Sequence, residues 1–354
     1  MLRAIANPVA RFDARELVWE VPPDLARLTV YEDDTRSILS KNESPDLWHR
    51  WSLNPYRGCM HACAYCYARP THEYLGFGAG TDHDTKILVK PRAAALLREE
   101  FDHRAWLGET ILFSGNTDCY QPLEYRWGLT RACLEVCLEY RNPVAIITKA
   151  ALIERDVDVL ARLATEAKVQ VVFSVPFWDA DVARAIEPGT PSPQRRVEAM
   201  RRLHEAGVPV AVNVAPVIPG LNDRDIPAIL RACAEAGAGH AAMILVRLPG
   251  PVEEVFSARL RATLPTRAEG VLARLARARE GRLQEARFGE RMSGHGEEWA
   301  ATKQLFELTC RRLGLRTHTG ESSATPSFAD KKAEPVAGST FRRPGTGTQL
   351  GLFG

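Results

Sequence analysis

The residues best equipped for chemistry are three cysteines in one short stretch. NPYRGCMHACAYCYAR, residues 54–69, sets Cys59, Cys63 and Cys66 in a C-x3-C-x2-C array. Three thiolates so close in sequence can converge on one soft metal centre. An iron–sulfur cubane normally takes four cysteines, one per iron. Here the local run supplies three, and no fourth follows until Cys119. A cubane held this way has one iron with no protein ligand, and an open coordination position is where a metal site reacts. The competing option is structural zinc, with His61, His72 or His83 as the fourth ligand. Zinc ribbons more often use paired C-x2-C knuckles, which weighs against zinc.

The pattern that must hold this loop begins near residue 91. Apolar runs at 109–115, 143–148, 169–175, 209–215 and 241–248 predict buried strands. Helical patterns fall between them, at 91–101, 129–140, 156–167, 192–206 and 225–236. Ser192-Pro193 is an N-cap with a first-turn proline, and Gly207 closes that helix. The strands are continuous apolar runs, as expected of parallel strands covered on both faces. Strand and helix alternate closely, which builds right-handed βαβ units. With a short strand just before Cys59 the count is about six, fewer than the eight of a closed barrel. The predicted class is α/β, an open, partial (β/α)6 barrel of TIM type, and a doubly wound sheet is the alternative. Residues 1–46 are expected to form an extension with one strand near 28–31. The barrel is expected over 47–250 and a helical segment over 251–317. The Thr-, Ser-, Gly- and Pro-rich stretch 318–354 is expected to be a disordered tail.

Composition sets outer limits. The chain has 354 residues, 45% hydrophobic and 25% charged, with a net charge of +2, an ordinary globular composition. No apolar run approaches the ~20 residues that cross a bilayer. The N-terminus breaks at Pro8 and lacks the apolar core of a signal peptide. A cytoplasmic location is therefore expected, where eight cysteines stay reduced. Charge this mild does not by itself indicate nucleic acid. Residues 259–316 are locally basic, including Arg274, Arg277, Arg279 and Arg291. A solvated helix face accounts for that; a surface for phosphates is the sharper alternative.

The cysteine motif, with Tyr65 before Cys66, resembles the cluster motif of the radical S-adenosylmethionine superfamily. The wider NPYRGC…CxYCYAR context resembles its spore-photoproduct-lyase-like branch, over residues 34–315. The resemblance implies a partial (β/α)6 barrel with a [4Fe-4S] cluster in the loop after the first strand. S-adenosylmethionine would chelate the open iron. One electron, from a reductase, flavodoxin or ferredoxin, would cleave it to a 5′-deoxyadenosyl radical that abstracts a substrate hydrogen. Cys59, Cys63 and Cys66 would be the metal ligands. Cofactor contacts would come from Tyr65 and from the C-terminal rim of the strands. Ser114, Gly115 and Asn116 stand where the superfamily often carries a Gly-Gly-Glu-like element, from which this sequence departs. Thr148 and Ser174 end the next two strands, Arg195 or Arg196 at the start of a helix would pair with the cofactor carboxylate, and Ile218 begins a loop resembling the one that flanks adenine. Plain strand-end, salt-bridge and turn roles would also explain these residues.

Two features remain. Cys119 and Tyr120 follow a strand end, and by resemblance to spore photoproduct lyase either could return a hydrogen atom to a product radical. A packed loop is the plainer account, and Cys133, Cys137, Cys233 and Cys310 read as core filler. The terminal QLGLF resembles the pentapeptide that docks on the bacterial DNA sliding clamp, with Gln349, Leu350, Leu352 and Phe353 as anchors; an accidental apolar end is the alternative. The expected function is radical chemistry on nucleic acid, in repair or modification. The alternatives are radical modification of a protein or small molecule, and a non-catalytic, DNA-associated iron–sulfur or zinc protein.

Overall fold

The computed structural model describes residues 27–283, 285–317 and 338–344, together with the backbone of 3–5. Gln349, Leu350, Leu352 and Phe353 lie outside the described residues. The strands are β1 (Arg3–Ile5), β2 (Thr29–Glu32), β3 (Leu39–Lys41), β4 (Trp51–Leu53), β5 (Tyr56–Arg57), β6 (Lys86–Val89), β7 (Ile111–Phe113), β8 (Val144–Thr148), β9 (Val169–Ser174), β10 (Val210–Val217), β11 (His240–Leu245) and β12 (Arg316–Thr317). Eight of them form one sheet in the order β12-β11-β10-β9-β8-β7-β4-β3. Every neighbouring pair from β4 to β11 is parallel. These six strands are the expected partial barrel. The antiparallel β3 and the parallel β12 extend its two edges. The edges do not pair with each other, so the barrel stays open on one side.

Helices cover the sheet: α1 (Thr81–Thr85), α2 (Ala93–Asp102), α3 (Glu124–Trp127), α4 (Leu129–Glu139), α5 (Val157–Glu166), α6 (Ala180–Ile186), α7 (Pro193–Glu205), α8 (Ile226–Glu235), α9 (Val252–Thr263), α10 (Pro265–Ala278) and α11 (Glu297–Leu313). Their spacing follows the sequence. In α5, Val159, Leu160 and Leu163 make the buried face. Ser192 caps α7 by accepting from the Arg195 amide at 3.3 Å, with Pro193 in the first turn. The strands β7, β8 and β10 are almost wholly buried, as continuous apolar runs require.

Three expectations change. A second sheet, ordered β1-β2-β6-β5, packs beside the barrel. Its strand β6 follows α1 without a break, and the Gly- and His-rich run before it reads as loop. The stretch expected to be helical throughout is interrupted between α10 and α11, where Gly281, Gly289, Gly294 and Gly296 fall. Lastly, within the tail expected to be disordered, residues 338–344 dock on the barrel. Phe341 packs on Phe101 and Tyr140, with ring centroids 5.7 and 6.2 Å apart. Arg343 donates to the carbonyls of Phe101, His103 and Trp106. Lys168 donates to the Gly338 carbonyl at 2.7 Å. Composition signals disorder only where no such contacts repay the ordering entropy.

Phe341→Ala is expected to release this docked segment. Tryptic cleavage after Arg342 should rise by about tenfold, with the barrel's Tm moving by only a few degrees. Unchanged cleavage would show that the polar contacts alone hold the segment.

Candidate active site

The cysteine loop leaves the C-terminal end of β4 and is pinned on every side. Cys59 donates its amide to the His83 carbonyl at 3.0 Å, and Ala64 to the Ile186 carbonyl at 3.0 Å. The Gly58 carbonyl accepts from Thr117 Oγ1 at 2.5 Å and Gln121 Nε2 at 3.0 Å, and Gln121 Oε1 accepts from the Met60 amide. Two glycines permit this fit. Gly58 has φ +79°, and a Cβ there would lie 2.8 Å from the His83 carbonyl oxygen and 2.9 Å from the His72 ring. A Cβ on Gly189 would overlap the Met60 carbonyl. Ala62 (φ +53°) and Ser114 (φ +77°) take left-handed conformations without being glycine, a cost of about 1–3 kcal/mol each that functional loops tend to carry.

All three cysteines are free thiols; Cys59 and Cys63 are buried and Cys66 partly so. Burial pushes Cys63 up well above its ordinary value, and Glu187, Cys66 and Cys59 push it further. Burial and then Cys59 raise Cys66. Thiols crowded in a shielded pocket resist ionising together, and a soft cation is what lets all three bind as thiolates. Among the described residues, no group of three or more His, Cys, Asp and Glu is arranged to hold a metal ion. Three cysteines on one loop are nonetheless the donor type that an iron–sulfur cluster takes, one per iron.

The histidines weighed as zinc ligands are engaged elsewhere. His61 lies between Cys59 and Asp118, with Nδ1 3.3 Å from Asp118 Oδ2. Burial alone would depress it, but Cys59 and the Asp118 carboxylate push it up to about 10. Asp118 resists the effect of burial and falls to about 2, held by His61, the Lys149 amide and Thr148. His72 Nε2 donates to the Lys86 carbonyl, and His83 pairs with Asp84. Burial lowers both.

Behind the cysteines lies a fully buried ion pair. Arg196 Nη2 is 2.5 Å from Glu187 Oε2, and neither side chain is exposed. The guanidinium also donates to the Pro191 and Ser174 carbonyls and to Thr190 Oγ1. Tyr65 donates its hydroxyl to Glu187 Oε1. Lys149 Nζ lies 4.0 Å from the same oxygen and 5.7 Å from the Tyr65 ring centroid. Burial raises the Glu187 carboxyl above its ordinary value, and Arg196 opposes that rise.

The residues expected from sequence divide accordingly. Tyr65 is part of this network. Thr148 joins through Asp118, to which its hydroxyl donates at 2.7 Å. Ser174 joins through its carbonyl. Gly115 accepts from the Tyr67 hydroxyl at 2.8 Å, and Asn116 donates its amide to Asn54 Oδ1 at 2.7 Å. Ser114 Oγ accepts from the Cys119 amide. Ile218 is buried at the end of β10, its amide donating to Asn222 Oδ1 at 2.6 Å. Of the two arginines, Arg195 pairs outward with Glu154, Nη1 to Oε1 at 2.7 Å, and Arg196 turns inward to Glu187, because one residue along a helix turns the side chain by about 100°. Cys119 and Tyr120 are both buried in the core, and the Tyr120 hydroxyl donates to Asp156. Sequence reasoning missed His61–Asp118 as a pair, and it missed Glu187. A carboxylate in a Pro-Gly turn carries no sign of burial. A groove of about 720 Å³ between α9 and α10, lined by Glu254, Arg261 and Leu272 among others, shares no residue with the cysteine loop.

The Radical SAM superfamily model matches residues 53–233. An uncharacterized protein of Mycobacterium tuberculosis is 38% identical over 237 residues, 66% of this chain and 70% of its own. One from Methanocaldococcus jannaschii is 28% identical over 174 residues, 49% of this chain and 62% of its own. Among solved structures, spore photoproduct lyase complexed with dinucleoside spore photoproduct aligns with a TM-score of 0.60 at 17% identity, covering 81% of each chain. That likeness is one of fold. No helix among the described residues is long and apolar enough to cross a membrane.

Glu187→Ala would leave the Arg196 charge buried and uncompensated. It is expected to lower stability by about 3–5 kcal/mol, measured as a shift of the denaturant midpoint. A shift well under that would mean the carbonyls alone satisfy Arg196.

Proposed function

The chain belongs to the radical SAM superfamily and is an enzyme of it, and on that premise we propose that it uses one [4Fe-4S] cluster and S-adenosylmethionine to modify or repair nucleic acid. The observation that carries the cluster is the set of three free cysteines crowded on one loop, at the C-terminal rim of a six-stranded parallel barrel. Barrel active sites sit at that rim. When bound, the cluster and S-adenosylmethionine supply a radical able to take a hydrogen atom from an unactivated position.

The chain's own residues account for the rest. Cys59, Cys63 and Cys66 hold the cluster, and the pinned glycine turns fix their directions. His61 places a positive charge beside the Cys59 sulfur, and hydrogen bonds to cluster sulfurs tune reduction potential. Glu187 fixes Tyr65, and Lys149 lies over that ring as a cation able to meet an anionic cofactor group. Ser114, Gly115 and Asn116 offer backbone at the end of β7, where Gly115 keeps the approach narrow: a Cβ there would sit 3.0 Å from Ser52 Cβ. Burial of the loop keeps water and stray hydrogen donors from the reacting centre.

The nucleic-acid substrate is supported by the fold shared with an enzyme solved with a dinucleoside photoproduct, and by exposed aromatics, two of which, Tyr67 and Phe288, lie against arginines. Trp48, Tyr67 and Phe288 are each more than half exposed. Bases stack on such rings.

With anaerobic reconstitution, about four irons per chain are expected, and dithionite with S-adenosylmethionine should yield 5′-deoxyadenosine. Cys63→Ala should lose both. One tightly bound zinc with no 5′-deoxyadenosine would overturn the reading. The terminal QLGLF extends the proposal to a DNA sliding clamp. Deleting residues 349–353 is expected to abolish clamp retention in a pull-down, and equal retention would dismiss the motif.

A further inference from the structure

The open side of the barrel is crossed by a strap. Residues 279–283 and 285–293 touch the sheet on both sides of the opening: Leu245 of β11 donates its amide to the Met292 carbonyl at 3.2 Å, and Arg279 donates to the Val246 carbonyl at 3.0 Å. At the other edge, Gly289 donates to Asp46 Oδ1 at 2.7 Å, and Arg291 pairs with the same carboxylate, in the loop between β3 and β4. Three arginines thus gather at the seam, Arg247, Arg279 and Arg291. Asp46 is committed to Arg291, while Glu285, the other acid near Arg279, is paired with Arg287.

Arg247 is the unusual one. It follows β11 at the rim, and its guanidinium lies 5.8 Å from the centroid of the Tyr67 ring. Tyr67 directly follows the third cysteine. Arg247 Nε is buried without a hydrogen-bond partner, and no ion pair to Arg247 is found among the described residues. That Nε has lost water and gained no partner, which costs free energy that an anion would return. Burial, and then Arg291, lower it from its ordinary value, the direction an approaching anion would reverse. Around it lie surfaces suited to bases. Tyr67 is 52% exposed, Phe288 is 58% exposed with Arg291 4.4 Å from its centroid, and Trp48 is two residues from Asp46.

We propose that Arg247, seated on Tyr67 and backed by Arg291, is a phosphodiester clamp that holds a single nucleic-acid strand across the open side of the barrel, next to the cysteine loop. The planar fork of a guanidinium matches two phosphate oxygens, and exposed rings beside cations are the pattern of single-strand binding. The inference rests on the nucleic-acid reading above and adds where and how the strand is held.

The test uses the full chain with its cluster reconstituted and a fluorescein-labelled single-stranded oligonucleotide, read by anisotropy over a salt series. Arg247→Gln is expected to weaken binding about tenfold and to flatten the slope of log K against log salt by about 0.7, one phosphate contact on a single strand. Arg247→Lys should recover part of the affinity, since it keeps the charge and loses the fork. Arg261→Gln removes an exposed arginine of α9 paired with Glu269, and should leave affinity and slope as in the wild type. Equal losses in Arg247→Gln and Arg261→Gln overturn the clamp in favour of diffuse charge. Wild-type affinity and slope in Arg247→Gln overturn it outright. So does a loss of S-adenosylmethionine affinity with oligonucleotide binding intact, which would give the guanidinium to the cofactor. If the wild type binds no oligonucleotide, the nucleic-acid reading itself fails and the clamp with it.

Discussion

Glu187 and Arg196 are opposite charges with no exposed surface, and they tie together β9, α7 and the cysteine loop. Arg196 belongs to α7, Glu187 to the turn before it, and the Arg196 fork ends on the carbonyl of Ser174 at the tip of β9. Tyr65 then ties the cysteine loop to the same carboxylate. Two buried ions cost more in lost hydration than an apolar pair of equal size would. The cost is offset only if every donor and acceptor is met, and here five groups meet them: Pro191, Ser174, Thr190, Tyr65 and the partner charge. A satisfied network of this kind has one geometry. It fixes the direction of the aromatic residue between the second and third cysteines, and so the floor of the site.

A second layer of charge works beside it. Asp118 accepts from Thr148, the Lys149 amide and the Tyr120 amide, and it faces His61. The end of β7, the end of β8 and the cysteine loop therefore meet at one carboxylate. Lys149 reaches toward the first network with its ammonium and supports the second with its backbone. The two networks thereby share a single residue.

Much of this architecture was legible. Continuous apolar runs gave the parallel strands, because a strand covered on both faces needs no polar side. Ser192-Pro193 gave the start of α7, because capping is local chemistry. Cysteine spacing gave the metal loop for the same reason. What escaped was the partner of each polar residue. Arg195 and Arg196 are identical in composition and differ only in which side of a helix they occupy. Glu187 looks like any turn acid, and Cys119 has no sequence mark telling that its strand end faces the core. The sheet containing β6 was missed because its pairing with β2 joins segments far apart in the chain, which no local window reports.

The segment docked by Phe341 and Arg343 lies against Gly108, Tyr140, Arg141 and Lys168. Each of these precedes a barrel strand, so the contact is with the rim opposite the cysteine loop. The docked segment thus occupies the pole of the barrel away from the cysteine loop, and whatever packs on it there leaves the doorway of the opposite pole clear.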